Sequence, residues 1–550
     1  MELMTLGVQT AEAKREGTGA IEWDAIVIGA GVSGLYQLYR LRELGMKTLV
    51  LEKGARVGGT WYWNRYPGAR FDSESWTYIY SFSKEVLDEW TWTEHFASQP
   101  ETERYLNFVA DKFDLRQYIE FNSEVVAAHY DEGSRSWKLS LSDGREYRTR
   151  FLVTAIGILS EATLPSIKGV ETFRGASFHT ARWPEQGVDL KGKRVAVIGT
   201  GSTGVQVVQE VSKVAGQLTV FQRTANWAAP LHNSKIAPEE MQRIRADYPD
   251  ILARCRETPQ CFVHAPDPRS ALEVTDQERE AFFEQRYSEP GFGIWYGNFR
   301  DILVNREANR LISDFVARKI RERVKDPAIA DKLIPKDHGF GTRRLPLETK
   351  YFEAFNQPNV ELVDVKATPI EEITETGIRT TAREYELDAI IYATGFNAII
   401  GAFEAIDIRG VGGKSLKEEW SSGPHTFLGF LVAGFPNMLM VMGPHGGLGN
   451  FTRFAEFNAN WVTELLGYAR ARGVTRVETT AEAQEEWYRH VVESAAGLLS
   501  NEVDSWMTGI NKNVEGRSVR RPYRYGGGFP GFKRYCDQVV ENGYAGVVFD

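Results

Sequence analysis

Two stretches of the chain repeat one pattern of apolar and polar positions. In the first, apolar residues 25–28 precede the turn "GAGVSG", an amphipathic segment follows, and a second apolar run ends at Glu52. In the second, "KRVAVIG" precedes "TGSTG", and another apolar run covers residues 218–221. Short apolar runs bounded by glycines predict buried strands, and an apolar stripe with helical period predicts an amphipathic helix. The pattern therefore predicts two β-α-β units.

The glycines of both units stand where a dinucleotide-binding turn requires them. Glycines at these places allow a tight turn and a close approach of the pyrophosphate to the N-terminus of the following helix. We predict that both turns bind a dinucleotide. The turn residues are Gly29, Gly31, Ser33 and Gly34 in the first unit and Gly199, Thr200, Gly201, Ser202, Thr203 and Gly204 in the second.

The two units differ at the end of their second strand. The first unit has Glu52 there, whereas the second has Arg223 and Thr224. A carboxylate accepts hydrogen bonds from ribose hydroxyls but repels a 2′-phosphate, and a guanidinium pairs with that phosphate. This difference predicts FAD at the first turn and NADPH at the second.

Apolar runs further along the chain predict how it passes between these units. We predict a buried strand in "FLVTAIGILS" (151–160) and another in "ELDAIIYATGF" (386–396). Flavin enzymes of this plan use such strands where the chain crosses between the two domains. Residues 225–335 are rich in charged segments that favour helices. We predict an α/β fold with two Rossmann-like domains, a helical insertion and a discontinuous FAD domain. The predicted segments are a disordered tail (1–22), the FAD domain (23–150), the NADPH domain (151–224), the insertion (225–335), the rest of the NADPH domain (336–388), and the rest of the FAD domain with the C-terminal region (389–550).

Composition and charge narrow the functional class. The 65 Lys and Arg against 74 Asp and Glu give a net charge of -9, and no long basic block is present, which argues against nucleic-acid binding. The chain has three cysteines and no CxxC pair, which argues against a disulfide framework and against a dithiol reductase. This cysteine content favours a location in the reducing cytoplasm. Glycines and a proline interrupt the longest uncharged stretch, 426–444, so no membrane span is predicted. No metal site is predicted.

Two longer motifs resemble the signatures of the type I Baeyer-Villiger monooxygenases, flavoenzymes that convert ketones to esters or lactones. "FRGASFHTARWP" matches FxGxxxHxxxW followed by proline through Phe173, Gly175, His179, Trp183 and Pro184. The resemblance extends over about residues 24–516. "GGTWYWNRYPGARFD" matches the second signature, [AG]GxWxxxx[FY]P[GM]xxxD, through Gly59, Trp61, Tyr66, Pro67, Gly68 and Asp72.

The resemblance implies the residues that carry the chemistry. It places Arg344 beside the flavin, where a fixed cation would stabilise an anionic C4a-peroxyflavin and the intermediate formed when this peroxide attacks a ketone. Asp72 would orient Arg344. His179 would be a linker residue that assists domain movement and would not act as a base.

The same resemblance assigns further cofactor contacts. Arg343 stands where relatives usually have a lysine that contacts the 2′-phosphate, and Trp506 resembles a tryptophan that contacts the nicotinamide nucleotide. Thr60, Trp61 and Tyr78 would lie on the FAD side. Val125 would contact adenine through its backbone.

The predicted activity is FAD- and NADPH-dependent insertion of one oxygen atom of O2 next to a ketone carbonyl. One alternative is an N- or S-oxygenating flavin monooxygenase, which shares the two-dinucleotide plan. A second is a regulatory protein that binds flavin and NADPH without turnover. The sequence leaves the ketone and the oligomeric state open.

Overall fold

Within residues 21–550, the part of the chain that the computed structural model describes, the apolar runs form strands and the amphipathic segments form helices. The predicted tail lies outside this part apart from residues 21 and 22. The strands are β1 Trp23–Ile28, β2 Thr48–Leu51, β3 Ile119–Glu120, β4 Val125–Asp131, β5 Ser136–Leu141, β6 Glu146–Thr154, β7 Ala176–His179, β8 Arg194–Ile198, β9 Gln217–Gln222, β10 Ala229–Pro230, β11 Leu347–Glu348, β12 Val360–Asp364, β13 Ile370–Ile373, β14 Gly377–Thr380, β15 Glu384–Glu386, β16 Ala389–Tyr392, β17 Asp407–Arg409, β18 Met438–Met440, β19 Val477–Thr479 and β20 Val547–Phe549.

The helices are distributed along the whole described chain. Among residues 21–550, no helix has both the length and the apolar character needed to cross a bilayer. The helices are α1 Val32–Glu43, α2 Thr60–Trp63, α3 Ser75–Tyr78, α4 Lys84–Glu89, α5 Gln99–Lys112, α6 Ser202–Val211, α7 Pro238–Glu257, α8 Asp276–Ser288, α9 Gly293–Tyr296, α10 Arg306–Arg323, α11 Pro327–Leu333, α12 Tyr351–Ala354, α13 Gly401–Glu404, α14 Leu416–Glu419, α15 Phe451–Ala471, α16 Ala481–Ser494 and α17 Gly528–Glu541.

The first β-α-β unit lies in a mixed sheet with the strand order β17-β4-β5-β6-β1-β2-β3, to which β18 is added beside β6. Strand β1 pairs in parallel with both β2 and β6. Strand β18 also joins β6 in parallel, so the C-terminal part of the chain returns to the first sheet. Helix α15 covers α1, where the Tyr36 hydroxyl donates a hydrogen bond to Asn460 Oδ1 at 2.7 Å.

The second unit lies in a fully parallel sheet with the order β12-β9-β8-β16-β7. Strand β16 is buried along its length and β8 is buried after Arg194, as expected for a parallel sheet covered on both faces. Along the chain, helices α7 to α11 lie between β10 and β11, within the predicted insertion. The predicted fold class, α/β with two Rossmann-like units, is confirmed.

Two predicted domain boundaries differ from the structure by one strand each. The boundary after residue 150 divides β6, although β6 pairs with β1 as far as Thr154. The boundary after residue 388 assigns β16 to the first domain, although β16 pairs with β7 and β8 of the second sheet. Both strands are short apolar runs beside a crossing of the chain. Only their hydrogen-bonded partners reveal which sheet they join.

Candidate functional site

The first glycine turn joins the end of β1 to the start of α1. Gly29 has a φ of +101°, a conformation that favours glycine, and a Cβ there would lie 2.6 Å from the Ala155 carbonyl oxygen. A Cβ on Gly34 would lie 1.8 Å from the Gly29 carbonyl oxygen. The Ser33 hydroxyl is buried and has no hydrogen-bond partner among residues 21–550. An unpaired hydroxyl at a helix N-terminus suits a phosphate group.

Glu52 is held at the end of β2 by backbone donors. Its side chain is buried, and its two carboxylate oxygens accept hydrogen bonds from the Ala30 and Gly54 N–H groups, each at 2.7 Å. Burial raises the pKa of Glu52, and these N–H groups oppose that rise. The segment leading into β4 and its first residue, Val125, is tied to this strand through a hydrogen bond from the Ser123 N–H to the Glu52 carbonyl. This arrangement fits the ribose of a dinucleotide.

The three other residues predicted on the FAD side lie close to this turn. Thr60 begins α2 directly after Gly59, whose Cα would lie 3.3 Å from a Cβ on Gly31. The Trp61 indole N–H donates to the Tyr78 hydroxyl at 2.9 Å. Thr60 therefore lies beside the first turn, and Trp61 and Tyr78 are joined to each other next to it; their contact with FAD remains a prediction.

The second turn has similar geometry at β8 and α6. Gly199 has a φ of +109°, and a Cβ on Gly204 would lie 2.2 Å from the Gly199 carbonyl oxygen. Gly201 faces open space, with no described atom within 4 Å of a Cβ placed on it. The Thr200 hydroxyl donates to the Thr224 carbonyl oxygen at 2.8 Å, joining the turn to the end of β9. An open glycine before the α6 N-terminus, where Ser202 begins the helix, fits a pyrophosphate.

Arg223 follows the last residue of β9 and is an exposed residue. Partial desolvation and the charge of Arg343 lower the pKa of Arg223. Arg343 also forms an ion pair with Asp337 at 3.2 Å. Two cations that repel one another are best accommodated by a group carrying more than one negative charge, and a ribose 2′-phosphate is such a group.

Helix α6 also meets the second signature motif, a contact that the sequence did not reveal. The Tyr66 hydroxyl donates to Gln206 Oε1 at 2.8 Å, and Gln206 Nε2 donates to the Arg70 carbonyl oxygen at 3.0 Å. The motif therefore links the FAD-side turn to the second β-α-β unit.

Asp72 and Arg344, which lie 272 positions apart, form an ion pair between the two units. Arg344 Nη2 lies 3.1 Å from Asp72 Oδ2, and the same oxygen accepts a hydrogen bond from the Leu347 N–H at 3.2 Å. Asp72 Oδ1 is buried without a partner in the described chain. Burial raises the pKa of Asp72, while the Arg344 charge opposes the rise. The Asp72 side chain is 3% exposed and that of Arg344 is 32% exposed, so the carboxylate is buried and the guanidinium remains partly open to solvent.

Aromatic residues of the insertion surround Arg344. Its Cζ atom lies 5.1 Å from the ring centroid of Phe292 and 5.8 Å from that of Trp295. The Trp295 ring stacks on Tyr296 with a centroid distance of 4.2 Å. The sequence alone did not predict these contacts, although the aromatic run "FGIWY" within a charged helical region is a signal for them.

His179 connects the two places where the chain crosses between the units. Its Nδ1 accepts a hydrogen bond from the Ala181 N–H at 3.1 Å, and its Nε2 lies 3.1 Å from the Gly395 carbonyl oxygen. This pattern requires the neutral ring with a proton on Nε2. Burial lowers the pKa of His179 to about 4. Both ring nitrogens are engaged, so the geometry supports a linker residue and not a base.

The buried histidines predict how stability depends on pH. In the unfolded chain His179 binds a proton below its ordinary pKa near 6.5, but in the folded protein it does so only near 4. Stability is therefore expected to fall as the pH drops from about 6.5 towards 4, by up to about 1.4 kcal/mol per pKa unit. We expect the thermal midpoint of His179→Gln to decrease less over this range than that of the wild type. Equal slopes for the two proteins would contradict this assignment.

Trp506 lies in a different part of the site from Arg344. It begins a short 3-10 helix, Trp506–Thr508, and borders a small cavity together with residues 396–398. Asn511 Nδ2 of the same loop donates to the Phe396 carbonyl oxygen at 2.8 Å. The loop is thus attached to the segment after β16. The predicted contact of Trp506 with the nicotinamide nucleotide remains a prediction.

Comparisons with known proteins agree with this arrangement. Residues 24–248 match the family profile described as flavin-binding monooxygenase-like. The chain is 46% identical over 531 residues to the 2-oxo-Delta(3)-4,5,5-trimethylcyclopentenylacetyl-CoA monooxygenase of Pseudomonas putida, covering 95% of this chain and 97% of that protein. It is 38% identical to a Baeyer-Villiger monooxygenase of Pseudooceanicola batsensis, covering 99% of both chains.

A phenazine N-monooxygenase of Lysobacter antibioticus is 40% identical, covering 96% of this chain and 97% of that protein. The solved structure of OTEMO in complex with FAD and NADP superposes with a TM-score of 0.93 at 45% identity, covering 96% of this chain and 100% of that one. These similarities extend over both β-α-β units, the insertion and the C-terminal region. The chain belongs to the type I Baeyer-Villiger monooxygenase family.

Proposed function

We propose that this protein uses FAD, NADPH and O2 to insert one oxygen atom next to a ketone carbonyl, giving an ester or a lactone. The main support is the pair formed by Asp72 and Arg344, which holds a guanidinium between the two glycine turns. The buried Ser33 hydroxyl and the carboxylate of Glu52 suit FAD at the first turn. Arg223 and Arg343 suit NADPH at the second.

Bound FAD would accept a hydride from NADPH and activate O2, and the chain's own residues would supply position and charge. Arg344 would stabilise the negative charge that develops on the ketone oxygen when a nucleophilic oxygen adds to the carbonyl carbon. Its planar donors remain charged throughout, since a guanidinium does not release its proton at neutral pH. Phe292 and Trp295 would shield part of Arg344 from water and so strengthen this interaction.

A panel of ketones tests the proposal. Purified holoenzyme with NADPH and O2 is expected to give esters or lactones, identified by mass spectrometry, in proportion to the NADPH consumed. The matched control is a panel of sulfides and amines of similar size. Products oxidised only at sulfur or nitrogen, or NADPH consumption without any oxygenated product, would contradict the proposal.

N-oxygenation is the second candidate, because one relative named for it is as similar to this chain as several ketone monooxygenases. In a heteroaromatic amine the atom to be oxidised is a nucleophilic nitrogen, whereas in a ketone the reacting atom is the electrophilic carbonyl carbon. Arg344 distinguishes the two reactions, since charge stabilisation at a carbonyl oxygen is needed only for the ketone. A variant without Arg344 should therefore lose ester formation to a greater extent than N-oxide formation.

The second turn yields a separate prediction about NADPH. Gly201→Ala is expected to raise the KM for NADPH about 10- to 100-fold, because the added methyl group would occupy the open space proposed for the pyrophosphate. Gly201 has a φ of -75°, which alanine adopts readily, so the thermal midpoint should not change. Gly204→Ala is the matched control and should lower the thermal midpoint, since its Cβ would clash with Gly199. An unchanged KM in Gly201→Ala would contradict the placement.

We also propose a cytoplasmic location. Cys255, Cys261 and Cys536 are buried free thiols, a state that a reducing compartment preserves. Burial raises the pKa of all three thiols, which keeps them protonated and unreactive.

A further inference from the structure

Glu74 is a buried carboxylate that lies two residues after Asp72. Its side chain is 7% exposed, and its Oε1 lies 2.6 Å from the Nε2 of His264. The other carboxylate oxygen, Oε2, is buried and has no hydrogen-bond partner within residues 21–550. A buried charge is costly unless a partner compensates for it. The carboxylate of Glu74 therefore depends on His264.

His264 belongs to the insertion, 190 positions further along the chain than Glu74. The segment that leads from α7 to His264 is held in place by a local hydrogen bond, in which the Thr258 hydroxyl donates to the Phe262 carbonyl oxygen at 2.6 Å. The pair of Glu74 and His264 thus joins the insertion to the segment that carries Asp72.

Two glycines of the insertion pack directly on this pair. Gly291 has a φ of +78°, a conformation that favours glycine, and a Cβ on it would lie 2.4 Å from Glu74 Oε1. A Cβ on Gly293 would lie 3.7 Å from His264 Nδ1. Both glycines bring the backbone close to the pair, and Phe292 lies between them. The pair therefore sets the position from which the Phe292 side chain extends.

Phe292 belongs to an aromatic wall, formed with Trp295 and Tyr296, that lies beside Arg344. The Phe292 ring centroid is 5.1 Å from the Arg344 Cζ atom and 5.0 Å from the Phe262 ring centroid. The Phe262 ring also stacks on Tyr296, with a centroid distance of 5.5 Å. The segment that carries the histidine of the pair therefore supports the same wall that covers part of the guanidinium.

We propose that Glu74 and His264 are positioning residues for oxygen insertion, because their pair keeps the aromatic wall against Arg344. This inference rests on the proposed function. Asp72 binds the guanidinium itself, and Glu74, from the same short segment, holds its aromatic cover through His264. A wall that moved away would admit water to Arg344 and let the guanidinium shift, and both changes weaken the stabilisation of a developing negative charge. Neither residue of the pair would touch the reacting atoms.

Leucine variants test the effect of the pair on the reaction. Glu74→Leu and His264→Leu should each lower the ester formed per NADPH consumed about tenfold, with hydrogen peroxide in its place. The rate of anaerobic flavin reduction and the KM for NADPH should stay within a few-fold of the wild type, because both glycine turns are unchanged. His264→Gln can still donate an N–H to the carboxylate and should restore most of the yield. A general loss of structure would not produce this division between the steps.

The matched control breaks a similar pair at another place. His95 Nε2 lies 2.8 Å from Glu240 Oε1, a contact that joins α7 to the segment before α5. Glu240→Leu removes this contact, and its ester yield per NADPH should equal that of the wild type. Flavin content and thermal midpoint confirm that the variants fold. If either leucine variant does not fold, Glu74→Gln, which loses the charge but keeps the shape, takes its place and should lower the yield about threefold.

Amide hydrogen exchange reports on the wall without any ketone. In the holoenzyme, peptides that cover residues 290–297 should exchange at least about threefold faster in Glu74→Leu and His264→Leu than in the wild type, and no faster in Glu240→Leu. Faster exchange in a protein whose wild type oxidises only sulfides or amines would overturn the ketone reaction but retain the role of the pair in holding the wall. Unchanged exchange, an unchanged ester yield, or equal slowing of flavin reduction and ester formation would overturn the inference.

Discussion

Arg344→Ala is expected to lower ester formation about 10²- to 10³-fold, because the negative charge that develops on the ketone oxygen would lose its fixed cation. Reduction of the bound flavin by NADPH should remain within a few-fold of the wild type, since Arg223 and Arg343, the proposed contacts of the 2′-phosphate, are unchanged. NADPH oxidation would then yield hydrogen peroxide in place of ester. Anaerobic stopped-flow absorbance follows the reduction, and gas chromatography quantifies the ester.

Two further variants make this result specific. Arg344→Lys keeps a positive charge but loses the planar donors that contact Asp72, so it should recover only part of the ester yield. Arg343→Ala removes the adjacent arginine and should raise the KM for NADPH. The amount of ester formed per NADPH consumed should stay the same. A normal ester yield from Arg344→Ala would show that the guanidinium has no part in the reaction.

Asp72→Asn is expected to lower ester formation without lowering the thermal midpoint. The carboxamide oxygen can still accept the hydrogen bond from the Leu347 N–H, but the negative charge that orients Arg344 is lost. Because a small displacement of a positioned group is costly, ester formation should fall about 10- to 100-fold. The ratio of hydrogen peroxide to ester formed per NADPH measures this loss.

The stability of Asp72→Asn follows from the sign of the pKa shift. Burial raises the pKa of Asp72, so its charged form lowers stability as the pH rises above the ordinary value near 3.8. A neutral side chain of the same shape avoids this cost, and Arg344 retains contact with solvent. The thermal midpoint of Asp72→Asn at pH 7 should therefore equal or exceed that of the wild type, whereas Asp72→Ala should unfold at a lower temperature. Full coupling in Asp72→Asn would refute the positioning role.

Local sequence patterns predicted the parts of the site that are built from neighbouring residues. Each glycine turn, its strand and its helix lie within a short stretch of chain, so the spacing of Gly29, Gly34 and Glu52 was enough to predict their geometry. The same holds for Gly199, Gly204 and Arg223. The motif around His179 predicted a linker, and the structure places His179 beside Gly395, where the chain crosses between the two units.

The pairing of distant segments could not be predicted from composition or periodicity. The order of apolar runs did not show that β6 belongs to the first sheet along its whole length, or that β16 belongs to the second. The aromatic wall of Phe292, Trp295 and Tyr296 comes from a region that the sequence identified only as helical.

The sequence by itself determined the two β-α-β units and the family, and it predicted different ribose preferences for the two units. These features depend on local backbone geometry and on side-chain charge, which short motifs encode. Only the tertiary structure decided that Asp72 is buried and pairs with Arg344, and that Phe292 and Trp295 lie beside this guanidinium. Such contacts depend on the desolvation of charges and on packing between segments hundreds of residues apart, and both arise only when the chain has folded.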